Sequence, residues 1–208
     1  MNGTAHAAVG AAAGFIVANT YQTDLPTSIL LIGIGGISGL IPDLDVDGKL
    51  RNKITLSHKV IKYAAQLISI LLILYSFLRG VGSEKWMGIA VGVIMFLLSS
   101  FIKQRHMLVI TGGGVIIGGF SLHESWLILL GIYMIIASFV SHRSYTHSIL
   151  GIIFYGFIAV RFEESLGING VYYACLAGYI SHLVFDMKVF PFNKRGIKLF
   201  LPFTSKEI

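Results

Sequence analysis

Apolar residues run along this chain in blocks separated by short polar breaks. Eight blocks can be read, at roughly 5–20, 29–41, 61–78, 86–102, 107–122, 125–140, 147–160 and 169–187. An α-helix needs about 20 predominantly apolar residues to cross a bilayer. The pattern therefore predicts an all-α polytopic bundle, with residues 1–208 forming a single membrane-embedded domain. The first two blocks fall short of that length. They are expected to tilt, to be covered by neighbours, or to carry polar ends into the membrane. Glycines gather in "GIGGISG" (33–39) and "TGGGVIIGG" (111–119), which reads as close helix contact through small residues. Neither stretch has the lysine of a phosphate-binding loop.

Composition agrees with a membrane protein. The chain is 55% hydrophobic and 12% charged, with a mean hydropathy of +0.78, against about one-quarter charged residues in a soluble domain. The net charge of +6 is not gathered on one soluble module, so no nucleic-acid partner is expected. Cys175 is the single cysteine, which rules out an intrachain disulfide. The N-terminal "MNGTAHAAVG" lacks a basic region ahead of its apolar run, so a cleaved signal peptide is not expected. "NGT" at 2–4 matches a glycosylation sequon but reads as coincidence so close to the terminus.

The basic residues carry topological information. Assigning the loops alternately to two sides places 13 of the 16 Lys and Arg on one side, with Arg79, Lys85 and Arg161 on the other. The acidic residues divide five and five, so the bias lies in Lys and Arg alone. By the positive-inside rule the richer side faces the cytoplasm, and eight crossings would put both termini there. "SSFIKQRH" (99–106) and "ASFVSHRS" (137–144) echo each other faintly, too briefly to establish a repeat.

This topology has a chemical consequence. His6, Asp43, Asp45, His142, His147, His182 and Asp186 all fall at cytoplasmic ends of blocks. "GYISHLVFDM" places His182 and Asp186 four apart on one helical face, where they can bind one metal ion or bridge two. Asp43 and Asp45 emerge in "IPDLD" just where the second block ends, and carboxylates so close repel unless a cation or protons intervene. His142 and His147 are five apart in "HRSYTHS" and reach one ion only if the stretch contains a turn. Thr146 or Ser144 is expected to cap the next helix, leaving His147 in its first turn. Arg143 is a candidate to hold a phosphate or a carboxylate in its planar fork.

Each feature has a plainer reading. The His182–Asp186 pair can be two polar groups satisfying each other in lipid. "DLDVD" can be a solvated turn, Arg143 a headgroup anchor, and His6 a packing residue. Taken together, these require several independent accidents on one membrane face, and a shared metal site is the simpler account. His58, His106 and His123 have no carboxylate cluster beside them and are assigned to loops.

With these motifs in hand, the chain resembles the LexA-regulated, membrane-bound metal-dependent hydrolase (YdjM-like) family. The likeness lies in Thr4-x-His6, "PDLD" (42–45), "HRSYTHS" (142–148), "GYISHLVFDM" (178–187) and a closing "NKRGIKLFLP" (193–202). The resemblance implies metal-ligand roles for His6, Asp43, Asp45, His142, His147, His182 and Asp186. It also implies a looser likeness to zinc phospholipase C and its nuclease relatives. The chain departs from the family pattern in three places. Val46 stands where a histidine is common, with Asp47 beside it. Asn193 takes the place of a threonine, and a long apolar insertion separates Lys62 from Val140.

The function expected from these residues is metal-assisted hydrolysis at the cytoplasmic face. Two or three divalent ions, zinc by the mix of donors, would lower the pKa of a water to about 7. Arg143 would orient a phosphate, and Tyr145 or Tyr179 would donate a hydrogen bond. The depth of the site points to a phospholipid or other lipid-linked substrate. The alternatives are a divalent-cation or proton transporter, since membrane carboxylates and histidines mark ion paths, and a scaffold tied together by metal. The oligomeric state is left open by the sequence.

Overall fold

A computed structural model describes residues 3–44, 57–190 and 195–208. Among the described residues there are eight α-helices and no strand: α1 (Gly3–Thr20), α2 (Leu25–Ser38), α3 (His58–Arg79), α4 (Gly82–Ser99), α5 (Gln104–Leu122), α6 (Ser125–Ala137), α7 (Ile149–Leu166) and α8 (Val171–Asp186). Short 3-10 turns at Ile41–Leu44 and Tyr145–His147 interrupt the helical pattern. The chain divides into two compact units. One gathers α1, α2, α5 from Leu108 onward, α6, α7 and α8; the other holds α3 and α4.

Helix ends differ from the apolar block edges for local reasons. α2 begins at Leu25, ahead of its apolar block, because the Asp24 carboxylate accepts from Thr27 N at 3.3 Å and Pro26 suits the first turn. α7 continues past the block edge to Leu166, carrying Arg161, Glu163 and Glu164 on the helix instead of in a loop. An exposed Arg161–Glu164 pair at 2.7 Å spans its final turn, and Gly167 ends it with φ 64°. His58 opens α3 and His106 lies in the first turn of α5, so neither is the loop residue expected. His123, with φ 59°, does sit between helices.

Among the described residues, three helices are long and apolar enough to cross a membrane: His58–Arg79, Gly82–Ser99 and Arg105–Leu122. Among the shorter apolar helices, α2 has 14 residues and α6 has 13. At 1.5 Å per residue they reach only about 20 Å, against a hydrocarbon core of about 30 Å. In the two-helix unit, α3 and α4 meet through small side chains. A Cβ on Gly92 would lie 2.6 Å from Ile73 Cγ1 and 3.1 Å from the Ser69 carbonyl. The remaining faces expose Leu67, Leu71, Leu74, Leu97 and Leu98, as a helix pair in lipid requires.

In the larger unit, α1, α2 and α8 approach backbone to backbone. The buried face of α1 is His6, Gly10, Gly14 and Ala18, at a spacing of four. Cβ atoms added at Gly10 or Gly178 would both collide with the Gly35 carbonyl, and one at Gly39 would stand 2.7 Å from the His6 carbonyl. Only glycine permits this approach. α2 runs antiparallel to α1 and parallel to α8, so the N-terminal end of α1 and the C-terminal ends of α2 and α8 share one end of the unit. α8 buries Val171, Ala174, Cys175, Gly178, Tyr179, His182, Leu183 and Asp186. The core stripe of that helix thus ends in two ionisable residues.

A candidate metal centre at one end of the helices

α8 supplies the frame of the site. Helical spacing keeps His182 and Asp186 on the buried stripe. The His182 ring is fixed because Nδ1 donates to the Gly39 carbonyl at 2.7 Å. A carbonyl only accepts, so we assign the proton to Nδ1 and a bare lone pair to Nε2. Gly39 can bring its carbonyl this close because glycines line the contact of α1 with α2. His6, one turn into α1, stacks on His182 with ring centroids 3.8 Å apart. Its Nε2 lies 3.3 Å from Asp186 Oδ1.

The second wall comes from the two 3-10 turns. Asp43 sits on the turn that follows α2, where Pro42, lacking an N–H, suits the end of regular helix. His147 closes the turn Tyr145–His147. This corrects the expected placement: α7 starts at Ile149, Ser148 occupies the cap position, and no side chain caps the helix. The loop hydroxyls serve the turn instead. Ser144 Oγ donates to the Ser141 carbonyl at 2.5 Å, Ser148 Oγ to Tyr145 at 2.7 Å, and Thr146 Oγ1 lies 3.0 Å from His147 Nδ1. His147 turns its Nε2 inward, 3.2 Å from the bare His182 Nε2; with no ion present a neutral His147 donates across this contact and Thr146 Oγ1 donates to Nδ1.

These donors converge. His147 Nε2 lies 3.2 Å from His182 Nε2 and 3.8 Å from Asp43 Oδ1. His182 Nε2 lies 3.6 Å from Asp43 Oδ1 and 3.7 Å from Asp186 Oδ2, and His147 Nε2 lies 3.9 Å from Asp186 Oδ2. For a tetrahedral ion with bonds of about 2.0–2.2 Å, ligand atoms stand about 3.3–3.6 Å apart. The observed separations bracket that range. Two groupings have donor atoms all within 4.8 Å: buried His6, His182 and Asp186, and the more open Asp43, His142 and His147. Each grouping could hold one ion, and together the two use all six residues.

The electrostatics favour ligation. Burial, reinforced by His182 and His142, pushes the His147 imidazole well below its ordinary pKa. Its lone pair is therefore present at neutral pH. The buried His6 Nδ1 has no hydrogen-bond partner among the described residues, a position that suits a ligand or a water. A donor set of imidazoles and carboxylates fits zinc and other borderline divalent ions.

The remaining expected residues divide. Asp45 lies outside the described residues, as do Val46, Asp47 and Asn193. Arg143, at φ 59°, takes the carboxylate of the two expected partners: Nη2 is 3.3 Å from Asp186 Oδ2, and Nη1 donates to the Arg195 carbonyl at 2.6 Å. Tyr145 is 43% exposed at the start of its turn and is open to a substrate. Tyr179 is fully buried. Its hydroxyl donates to the Thr146 carbonyl and lies 3.0 Å from Tyr133 Oη, which makes it a prop for the His147 turn. Sequence reasoning missed Gly39, Arg195 and Tyr133. The first two act through carbonyls, which no side-chain pattern reveals. Tyr133 could have been sought as a polar group in an apolar helix needing a partner.

Comparison with known proteins identifies a family. The model of a family described as YdjM inner membrane protein matches residues 1–208. No curated protein and no solved structure matches the chain.

Proposed function

The chain belongs to the YdjM inner membrane protein family, and from that premise we propose that it is a membrane-bound metal-dependent hydrolase. We read its substrate as a phosphoester of a phospholipid or other lipid-linked molecule at the cytoplasmic face. The observation that carries this reading is the convergence of two imidazole Nε2 atoms and two carboxylates at separations of 3.2–3.9 Å. A neutral imidazole that gives up its Nε2 proton to solvent and takes one at Nδ1 presents a lone pair here, and around a divalent ion these groups are ligands.

Bound divalent ions, zinc by preference of the donor set, would supply Lewis acidity toward a water and a phosphoryl oxygen. The protein's own residues do the rest. His6, His182 and Asp186 would hold one position, and Asp43, His142 and His147 the other. Arg143 fixes the Asp186 carboxylate, as partners of metal ligands commonly do. Tyr145 offers a hydroxyl at the exposed rim. An apolar cavity of about 360 Å³ lined by Tyr133, Ile136, Val140, Tyr145, Leu150 and Phe154 lies against the turn that carries His147. A hydrocarbon chain placed there would bring its headgroup to the donors. If the loops alternate between the two sides, 13 of the 16 basic residues fall on one of them, and the positive-inside rule favours the cytoplasm for that side and for the site.

The test is metal content by plasma mass spectrometry on detergent-purified protein, beside His182→Ala and Asp186→Asn. Stoichiometric metal that falls in both variants, while they stay monodisperse, is the expected result. Turnover of phospholipid or lipid phosphate by metal-loaded protein, abolished by a chelator without unfolding, completes it. Wild type that cannot be loaded with metal removes the reading. A loaded protein that unfolds on chelation and turns over nothing would be a metal-tied scaffold.

A further inference from the structure

Beside the donor cluster lies a recess of about 490 Å³, lined by Ser141, His142, Arg143, Arg195, Lys198 and Glu207. Its position and its charge both point to a ligand. His142 belongs to the recess and also to the donor group with Asp43 and His147, so the recess opens onto the candidate metal centre. Its wall is built. The Arg143 guanidinium ties the loop ahead of α7 to the segment after α8 by donating to the Arg195 carbonyl at 2.6 Å. The latter segment is pinned in turn by paired backbone bonds between Ile197 and Ile208 at 3.0 and 3.1 Å, with Ile197 fully buried.

The charges do not cancel. Arg143 faces Asp186 at 3.3 Å, and Lys188, just outside the recess, faces Glu207 at 3.1 Å. Lys198 also lies in the field of Glu207, so Arg143, Lys188, Arg195 and Lys198 stand against Asp186 and Glu207 around the recess, whose lining is positive on balance. A phosphodiester carries one negative charge and a phosphomonoester about 1.5 to 2 at neutral pH. A basic lining favours the more highly charged monoester.

We propose that this recess binds the terminal phosphate of a phosphomonoester, as a lipid headgroup or as free phosphate, and that Arg195 and Lys198 select the dianion. This deepens the hydrolase reading and rests on it: a water oxygen would bond to phosphorus, the ester P–O bond would break, the alcohol would leave with a proton, and inorganic phosphate would remain in the recess. Arg195 and Lys198 touch substrate in this account, while Arg143 positions both Asp186 and the Arg195 backbone.

The experiment titrates inorganic phosphate into full-length protein in detergent, metal-loaded and metal-stripped, followed by calorimetry and by phosphorus NMR line width. Arg195→Ala and Lys198→Ala should each weaken phosphate binding about tenfold, and the double variant roughly 100-fold. Metal stoichiometry should stay at the wild-type value. Arg195→Lys and Lys198→Arg should retain binding, which guards against a folding artefact. Mixed micelles separate the sources. Displacement of phosphate by phosphatidate assigns the recess to a lipid headgroup, and binding of inorganic phosphate alone assigns it to the free anion. Equal displacement by phosphatidylglycerol, a diester, would overturn the selection of a dianion. Wild-type phosphate affinity in the double variant, or parallel loss of metal and phosphate, would overturn the recess itself. A protein that binds phosphate but never metal would fail the hydrolase reading and leave the anion site standing, so the two outcomes stay distinct.

Discussion

Replacing Tyr179 by Phe separates a residue that shapes the site from one that works in it. Tyr179 is fully buried, and its hydroxyl donates to the Thr146 carbonyl, with Tyr133 Oη 3.0 Å away. Thr146 precedes His147, whose Nε2 is one of the converging donors. Tyr179→Phe keeps the ring, including its stacking on Tyr155 at 4.8 Å, and removes only the donor. Losing a buried hydrogen-bond partner costs about 1–3 kcal/mol. A ligand whose support is removed commonly loses 10–100-fold in metal affinity, which is about 1.4–2.7 kcal/mol. The two ranges coincide, so the whole cost can appear in the metal equilibrium. The assay is competition for zinc against a calibrated chelator, run on wild type, Tyr179→Phe, His147→Ala and the double variant. The single Tyr variant should bind about tenfold more weakly. In the His147→Ala background the same change should do nothing further to metal affinity, because the ligand it supports is gone. Turnover at saturating metal should return to near the wild-type value. A substrate hydrogen-bond donor would show the opposite split, with normal metal affinity and turnover low at every metal concentration. That result, or additive effects in the cycle, would refute the supporting role.

Two further outcomes follow from the same geometry. Gly178→Ala puts a methyl onto the Gly35 carbonyl, whereas a Cβ at Gly33 meets nothing within 4 Å. Thermal melts should show about 1–3 kcal/mol of destabilisation for the first and no loss for the second, which also gains helix propensity; similar melts for both would refute the close helix contact. The stability of metal-free protein should fall in acid, since His147 is held neutral when folded. Above about pH 6.5 both folded and unfolded imidazoles are neutral and the group contributes no slope; below it the unfolded chain takes the proton first. Stability then drops by up to about 1.4 kcal/mol per pH unit until the folded value is reached. His147→Gln should flatten that part of the curve, and an unchanged slope would remove the assignment.

How much of this was legible in the sequence depended on which atoms do the work. Candidate donors are side chains, so His6, Asp43, His142, His147, His182 and Asp186 could be picked out by type and by their place at the ends of apolar blocks, and the structure brings them together at one end of the helices. Their supports are different. The Gly39 carbonyl that sets the His182 tautomer, the Arg195 carbonyl that holds Arg143 and the Thr146 carbonyl held by Tyr179 are backbone atoms of residues with no pattern to mark them. Tyr179 illustrates the consequence. A tyrosine near a candidate site reads equally well as a donor to substrate or to backbone, and only burial decides. The turn at Tyr145–His147 was foreseen as a necessity of five-residue spacing, but its hydroxyls were assigned to capping a helix that starts later.

The convergence itself did not depend on every apolar block crossing the membrane. α2 and α6 are too short to do so unaided. What brings His6, Asp43 and Asp186 to one end is alternation of direction between α1 and α2, with α8 parallel to α2, held by glycines at 10, 35, 39 and 178. A chain of consecutive antiparallel helices delivers every second connection to the same end, whether the helices span a bilayer or bury one another. The argument from loop charge and the argument from helix packing thus locate the same residues for separate reasons. Only the first bears on which side of the membrane they face. The second requires that the α1–α2–α8 contact survive, which makes Gly178 as much a part of the site as the histidine one turn beyond it.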